Sequence, residues 1–261
     1  MPKKENAIKG KAKYTAPALE KGLDILEYIS LKAKPLSQSE IALGINRSPN
    51  EIYRMLIILE HRGYILRDEI SGKYRLSLRL YSLSHRHSPI DELRKGAQYP
   101  MDDLSEKTRQ SCHLSVLYRN KLIIVSQSRS PGSIALSIEE GSVFPLMETA
   151  SGKVLLAFMP GKEQMEILNR NKIFNSFNKE DKKEYLQILK DIENDGYYFA
   201  SSEQADGVTD ITVPIGNDKD IIASLTVSIL SMQLKEKILH KEILKKTLDT
   251  ANKISKNLGF K

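Results

Sequence analysis

The stretch RSPNEIYRMLIILEH, residues 47–61, gathers side chains suited to specific hydrogen bonding. Arg47, Ser48, Asn50, Tyr53 and Arg54 occupy its first half, and the apolar run Met55-Leu56-Ile57-Ile58-Leu59 fills the second. A helix wet at one end and dry at the other exposes its first turns and seats its far end on a core, with Ile52, Met55, Leu56 and Leu59 as the buried stripe. Asn and Arg each form paired hydrogen bonds to planar partners, Asn to an adenine edge and Arg to a guanine edge, each pair worth roughly 1–3 kcal/mol of discrimination. The local alternatives are that Arg54 pairs with Glu51 or Glu60 and that Tyr53 is half-buried.

Other spacings carry no chemistry of their own. His85 and His87 form an H-x-H pair without a third ligand nearby, so neither a metal site nor a cofactor is expected. Cys112 and His113 are adjacent in a strand pattern and point to opposite faces, which argues against a catalytic dyad. ASGK, residues 150–153, lacks the upstream glycine of a phosphate loop, because Met147 stands in its place. Ser176 and Lys179 match S-x-x-K only by spacing, and no G-x-S-x-G occurs.

The elements that position the first group are legible from their punctuation. Apolar residues at 19, 23, 26 and 29 keep a helical period. Ser37 with Glu40 is a capping box before Ile41-Ala42-Leu43, and Gly44 stops that helix. Ser48 with Glu51 is a second box, with Pro49 at the first helical position, where its missing N–H costs nothing. Two β-prone runs follow, Tyr64–Arg67 and Lys73–Ser77, around a turn at Ser71-Gly72. Three helices and a hairpin in this order describe a winged helix-turn-helix, whose second motif helix enters the DNA major groove. Lys73 and Arg75 on the wing, and the lysine-rich segment 1–15, are expected to meet phosphates.

Charge points the same way. Residues 1–86 hold nine lysines and seven arginines against nine acids, an excess of seven, which is the whole net charge of +7. A basic domain carrying a helix-turn-helix pattern favours a polyanionic partner. No run approaches the ~18 apolar residues that span a bilayer. Neither an intrachain disulfide framework nor a secretory leader is expected, because there is one cysteine and the basic stretch 1–14 has no apolar segment after it. A reducing, cytoplasmic location and no membrane partner are expected.

The remainder reads as α+β. Strands are expected at 113–118, 122–127, 134–138, 197–201, 211–215 and 221–229, and helices at 90–108, 150–159, 162–169, 179–194 and 233–258. Short turns between strands imply an antiparallel sheet flanked by helices. In SLTVSIL, Ser224, Thr226 and Ser228 alternate with Leu225, Val227 and Ile229, so one face of that strand is small and polar. Such a face leaves room for a ligand.

The chain resembles the IclR family of bacterial transcription regulators over about residues 17–259. The resemblance is carried by LEKGLDILEYI, PLSQSEIALGI, IYRMLIILEHRGYI and GKYRLSLRL, and by PLMETASGKVLLAFMP, DGYYFASSEQADGVTDITVPI, ASLTVSI and ANKISKNLGF. After the basic arm read from composition (1–15), it implies a winged helix-turn-helix (16–78, with Ser37 among its DNA contacts), a linker helix (79–96) and a GAF-like effector domain (97–261). It also implies a dimer or tetramer on a palindromic operator. Carried across by position, the effector pocket comprises Leu136, Phe144, Ala150, Ser151, Ala200, Asp210, Thr226 and Ser228. Several family members have an acid at the Ala200 position and Cys at the Asp210 position, so here the acid has in effect moved to Asp210. An effector with hydroxyl or ammonium groups is expected; the alternative is that Asp210 caps a turn outside the pocket. The competing functions are an enzyme acting on a polar metabolite, and a DNA-binding structural protein with an unliganded sensor domain. No convergent acid, base and nucleophile set can be assembled around Ser151 and Asp210.

Overall fold

The computed structural model describes residues 16–84, 89–202, 204–217, 220–230 and 237–260. The basic arm, the His85/His87 pair and the expected start of the last helix at Gln233 lie outside them. The chain divides into two compact units, Met1–Ser88 and Pro89–Lys261.

In the first unit, α1 (Pro17–Lys32), α2 (Gln38–Gly44) and α3 (Pro49–His61) precede a hairpin of β1 (Ile65–Arg67) and β2 (Tyr74–Leu76) and a short α4 (Arg79–Ser84). Both capping boxes form, with Ser37 accepting from the Glu40 N–H and Ser48 from the Glu51 N–H. Leu36 bridges Tyr74, tying the α1–α2 connection to the wing. Ile25, Ile29, Ile41, Ile52, Leu56 and Ile65 close the core. Gly44 ends α2 without a left-handed turn. A Cβ there would lie 1.9 Å from the Tyr28 ring, and Asn46 takes the positive φ instead. The glycine is a close approach to an aromatic ring, and the turn is made two residues later.

The second unit opens with α5 (Pro89–Thr108), so residues 89–96 begin a helix whose Leu93 is in this unit's core. Strands β3 (Ser111–Tyr118), β4 (Lys121–Ser128) and β5 (Val143–Pro145) follow, then helices α6 (Ala150–Ala157), α7 (Gly161–Arg170), α8 (Lys172–Ser176) and α9 (Lys179–Asp195). Strands β6 (Tyr198–Ser201), β7 (Val208–Asn217) and β8 (Asp220–Leu230) and helix α10 (Lys237–Asn257) complete it. The six strands form one antiparallel sheet in the order β5-β4-β3-β8-β7-β6. Two-residue period sorts the strands between two cores. Cys112, Leu114, Leu225, Val227 and Ile229 face α5 and α10, while Leu122 joins the layer of α6 and α9.

One expected strand is corrected. Residues 134–138 form no strand, and the edge of the sheet is β5, paired with β4 through Leu122↔Phe144. The alternation that suggested a strand is real, with Leu136 and Ile138 half-buried and their neighbours exposed, but the buried side faces a cavity. Alternating polarity reports a segment with one wet face, and it does not require a hydrogen-bonded neighbour.

Candidate functional site

On the first unit, Arg47, Ser48, Asn50, Tyr53 and Arg54 are all exposed around the start of α3, as are Lys73 and Arg75 on the wing. Tyr53 is 51% exposed, so about half of it is covered, as the local alternative held, and the other half is open to a partner. Arg54 makes no ion pair among the described residues; Glu51 instead lies 3.4 Å from Lys21 Nζ. Ser37 and Ser48 spend their hydroxyls on the capping boxes. Those bonds to Ser48 hold the Glu51 carboxyl down at about 2. Gln38 Nε2 donates to the Pro49 carbonyl at 2.9 Å, fixing α2 against the start of α3. The far end of α3 is less dry than its composition suggests. Ile52 and Leu56 are fully buried, whereas Ile57 and Ile58 are 44% and 54% exposed. At 100° per residue, five consecutive apolar residues cannot all face one core.

On the second unit, a cavity of about 220 Å³ lies between the sheet and the start of α6. Of the eight residues placed there by resemblance, Leu136, Phe144, Ala150, Ser151, Asp210 and Ser228 line it. Thr226 and Ala200 do not. Thr226 is one layer behind, its hydroxyl 2.7 Å from Ser151 Oγ and 2.9 Å from Thr212 Oγ1. Ala200 is paired with Asp210 across β6 and β7 but is not part of the lining. Asp210 faces the cavity, 9% exposed, and its Oδ1 accepts from Ser228 Oγ at 2.6 Å, so it does not cap a turn outside the pocket.

The sheet register also brings in residues that the sequence did not single out. His113 pairs with Thr226 and Ser115 with Ser224, so both lie on the polar face of β8, beside Ser228. Gln204 lines the cavity rim and donates to the Glu148 carbonyl at 3.0 Å. Burial pushes the His113 imidazole below its ordinary pKa, with Asp210 working in the opposite direction. The strand alternation already placed His113 opposite Cys112, but strand pairing was needed to show what it faces. Thr149 caps α6 by accepting the Gly152 N–H at 3.2 Å. Gly152 is required there, because a Cβ would sit 1.7 Å from the Leu146 carbonyl oxygen.

A helix-turn-helix followed by a sheet with a cavity against α6 is the arrangement that the comparisons recover. Residues 18–69 match the IclR helix-turn-helix domain, and residues 89–256 match the family described as bacterial transcriptional regulator IclR C-terminal. The chain belongs to the IclR family. As an IclR-family protein it is a DNA-binding transcription regulator. It is 26% identical to the glycerol operon regulatory protein of Streptomyces coelicolor over 93% of this chain and 96% of the relative. To the HTH-type transcriptional regulator KdgR of Escherichia coli it is 28% identical over 85% of each. An IclR homolog from Microbacterium hydrocarbonoxydans complexed with 4-hydroxybenzoate superposes with TM-score 0.77 at 21% identity, covering 92% of this chain and 98% of that one. Thermotoga maritima IclR gives 0.73 at 26%, covering 93% and 98%. Among the described residues of this IclR-family chain, no helix is long and apolar enough to cross a membrane, and no group of three or more His, Cys, Asp or Glu could hold a metal.

Proposed function

We propose that this regulator reads a palindromic operator with the first turns of α3, and that a small molecule in the α6 cavity changes operator binding. The supporting observation is the cavity itself, a space with one polar and one apolar wall in the unit that does not contain the DNA-reading helix. Asn50 and Arg54 contact base edges, and Arg47, Lys73 and Arg75 contact phosphates. Ser37 and Ser48 orient the two motif helices through their caps. Ala150 and Ser151, in the first turn of α6, belong to the backbone N–H groups that a helix leaves unpaired, which suits an oxygen of the effector. A homodimer, alone or paired as a tetramer, gives the twofold symmetry a palindrome requires. It would cover Leu19 and Leu23 of α1 and Leu80, Tyr81 and Leu83 of α4, which are exposed in the single chain. The regulator acts in the cytoplasm, on the cell's own DNA.

An enzymatic role has less support. The Ser151 hydroxyl engages Thr226 and, at 3.4 Å, Ser115. His113 makes no hydrogen bond among the described residues, so no base is seated on that hydroxyl.

Selection from a random duplex library should recover a palindrome, and gel retardation on it should change when a cavity ligand is added. Asn50→Ala should relax preference at one symmetry-related position by about 1–3 kcal/mol. An equal loss on every sequence would assign Asn50 to the backbone instead.

A further inference from the structure

His113 is 8% exposed, lines the cavity, and has no hydrogen-bond partner among the described residues. Its ring nitrogens are not sealed in the core, since the residue lines the cavity, so they are available to a group placed in that space. Asp210 shares that face of the sheet and that cavity. His113 on β3 and Asp210 on β7 flank β8, opposite Thr226 and Ser228 respectively, so both side chains leave the same face of the sheet. Ser228 occupies Asp210 Oδ1, leaving the carboxyl with spare acceptor capacity. Among the described residues, no lysine or arginine lines the cavity. Across from this polar edge, Leu122, Ile124, Leu136, Ile138 and Phe144 make an apolar wall.

The two walls define complementary chemistry. A neutral imidazole offers one N–H and one lone pair, and a carboxyl offers acceptor oxygens. A hydroxyl group, which both donates and accepts, satisfies the pair at once. A carboxylate in the same place would face Asp210 with no cation to offset it, and an apolar group would leave both groups unpaired. An apolar cavity of about 150 Å³ holds one benzene, so the space here fits a compact ring or short branched chain with one or two substituents.

We propose that the cavity selects a small ligand with an apolar body and a hydroxyl group, the hydroxyl donating to Asp210 and accepting from His113. This rests on the cavity being the effector site, and it adds the group by which the effector is told from close analogues. His113 and Asp210 are the residues that read it, and the β4–β5 wall with Leu136 and Ile138 holds the body. A site built to bond a hydroxyl rejects the analogue that lacks it, because its own polar groups are then buried unpaired.

Calorimetry on the full chain with matched probes tests this: phenol against benzene, 4-hydroxybenzoate against benzoate, and 3-hydroxybutyrate against butyrate, with 3-aminobutyrate as the cationic counterpart. The hydroxylated member of at least one pair should bind about tenfold tighter or more than its partner. That preference should collapse in Asp210→Asn and in His113→Leu, while the partner lacking the hydroxyl binds as before. His113→Gln, which keeps a donor and an acceptor, should retain part of it. Unliganded melting temperatures identify any variant that fails to fold, and the wild-type ratios stand without the variants. Equal affinities within every pair, no binding by any hydroxylated probe, tighter binding of 3-aminobutyrate, or an unchanged preference in both variants would overturn the proposal. Operator retention is read separately. Hydroxyl-selective binding that leaves retention unchanged supports the selectivity and refutes the regulatory role of the cavity.

Discussion

Glu51 shows how much a single carboxyl can organise. It closes the capping box on Ser48, reaches Lys21 on α1, and so fixes the end of α3 that carries Asn50 and Arg54. Its pKa is lowered from 4.5 to about 2, first by the Ser48 backbone and side-chain bonds and then by Lys21. A depressed carboxyl contributes stability above its unfolded pKa and loses it as pH falls through the folded one. The melting temperature of wild type should therefore exceed that of Glu51→Gln at neutral pH, and the gap should close between pH 4.5 and about 2. A gap that is constant over that window would assign the difference to packing. The serine–glutamate spacing made this residue readable from the sequence, because a capping box is complete within four consecutive positions.

At the scale of elements, α6 matters most for the cavity, and Gly152 lets it sit where it does. The helix is pressed so closely on the segment before it that only a hydrogen fits between Gly152 and the Leu146 carbonyl. Backbone cannot yield as a side-chain tip can. Gly152→Ala should displace α6, lower the melting temperature of the second unit by an amount corresponding to about 1–3 kcal/mol, and weaken binding of any cavity ligand. Retained stability with retained ligand affinity would show that the helix shifts without consequence. A helix beginning at residue 150 was legible in the sequence, but the need for glycine at 152 was not, since the clashing carbonyl belongs to an irregular segment whose path follows no local rule. The same limit applies to residues 134–138. Their alternation was read correctly as one wet and one dry face, and wrongly as a strand, because hydrogen-bond partners are chosen by the tertiary fold.

Across the whole molecule, two units with separate cores, one in the first and a pair sharing one sheet in the second, predict two unfolding steps. The first unit carries the entire +7 excess over residues 1–86, while residues 87–261 are balanced. Calorimetry of the full chain should resolve two transitions. A cavity ligand at hundredfold its dissociation constant should stabilise only the second, by about 2.7 kcal/mol. DNA should stabilise the first, and less so as salt rises, since phosphate contacts release counterions. A single transition moved equally by both partners would mean that the two units unfold as one.

The sequence by itself determined the helix-turn-helix, the wing, the basic first unit and the polar face of β8, because caps, turns and two-residue alternation act within a few residues of one another. It also named six of the residues that line the cavity, by resemblance. Only the tertiary structure decided that Thr226 stands behind Ser151, that Ile57 and Ile58 face outward, and that His113 and Asp210 share one wall. The facing of Ile57 and Ile58 follows from how α3 seats on its core; the other two depend on the register of β3 against β8 and of β8 against β7, and β3 lies about a hundred residues before β7 and β8 in the chain. Pairing over such distances is set by how two cores close on either side of a sheet, and no local pattern encodes it.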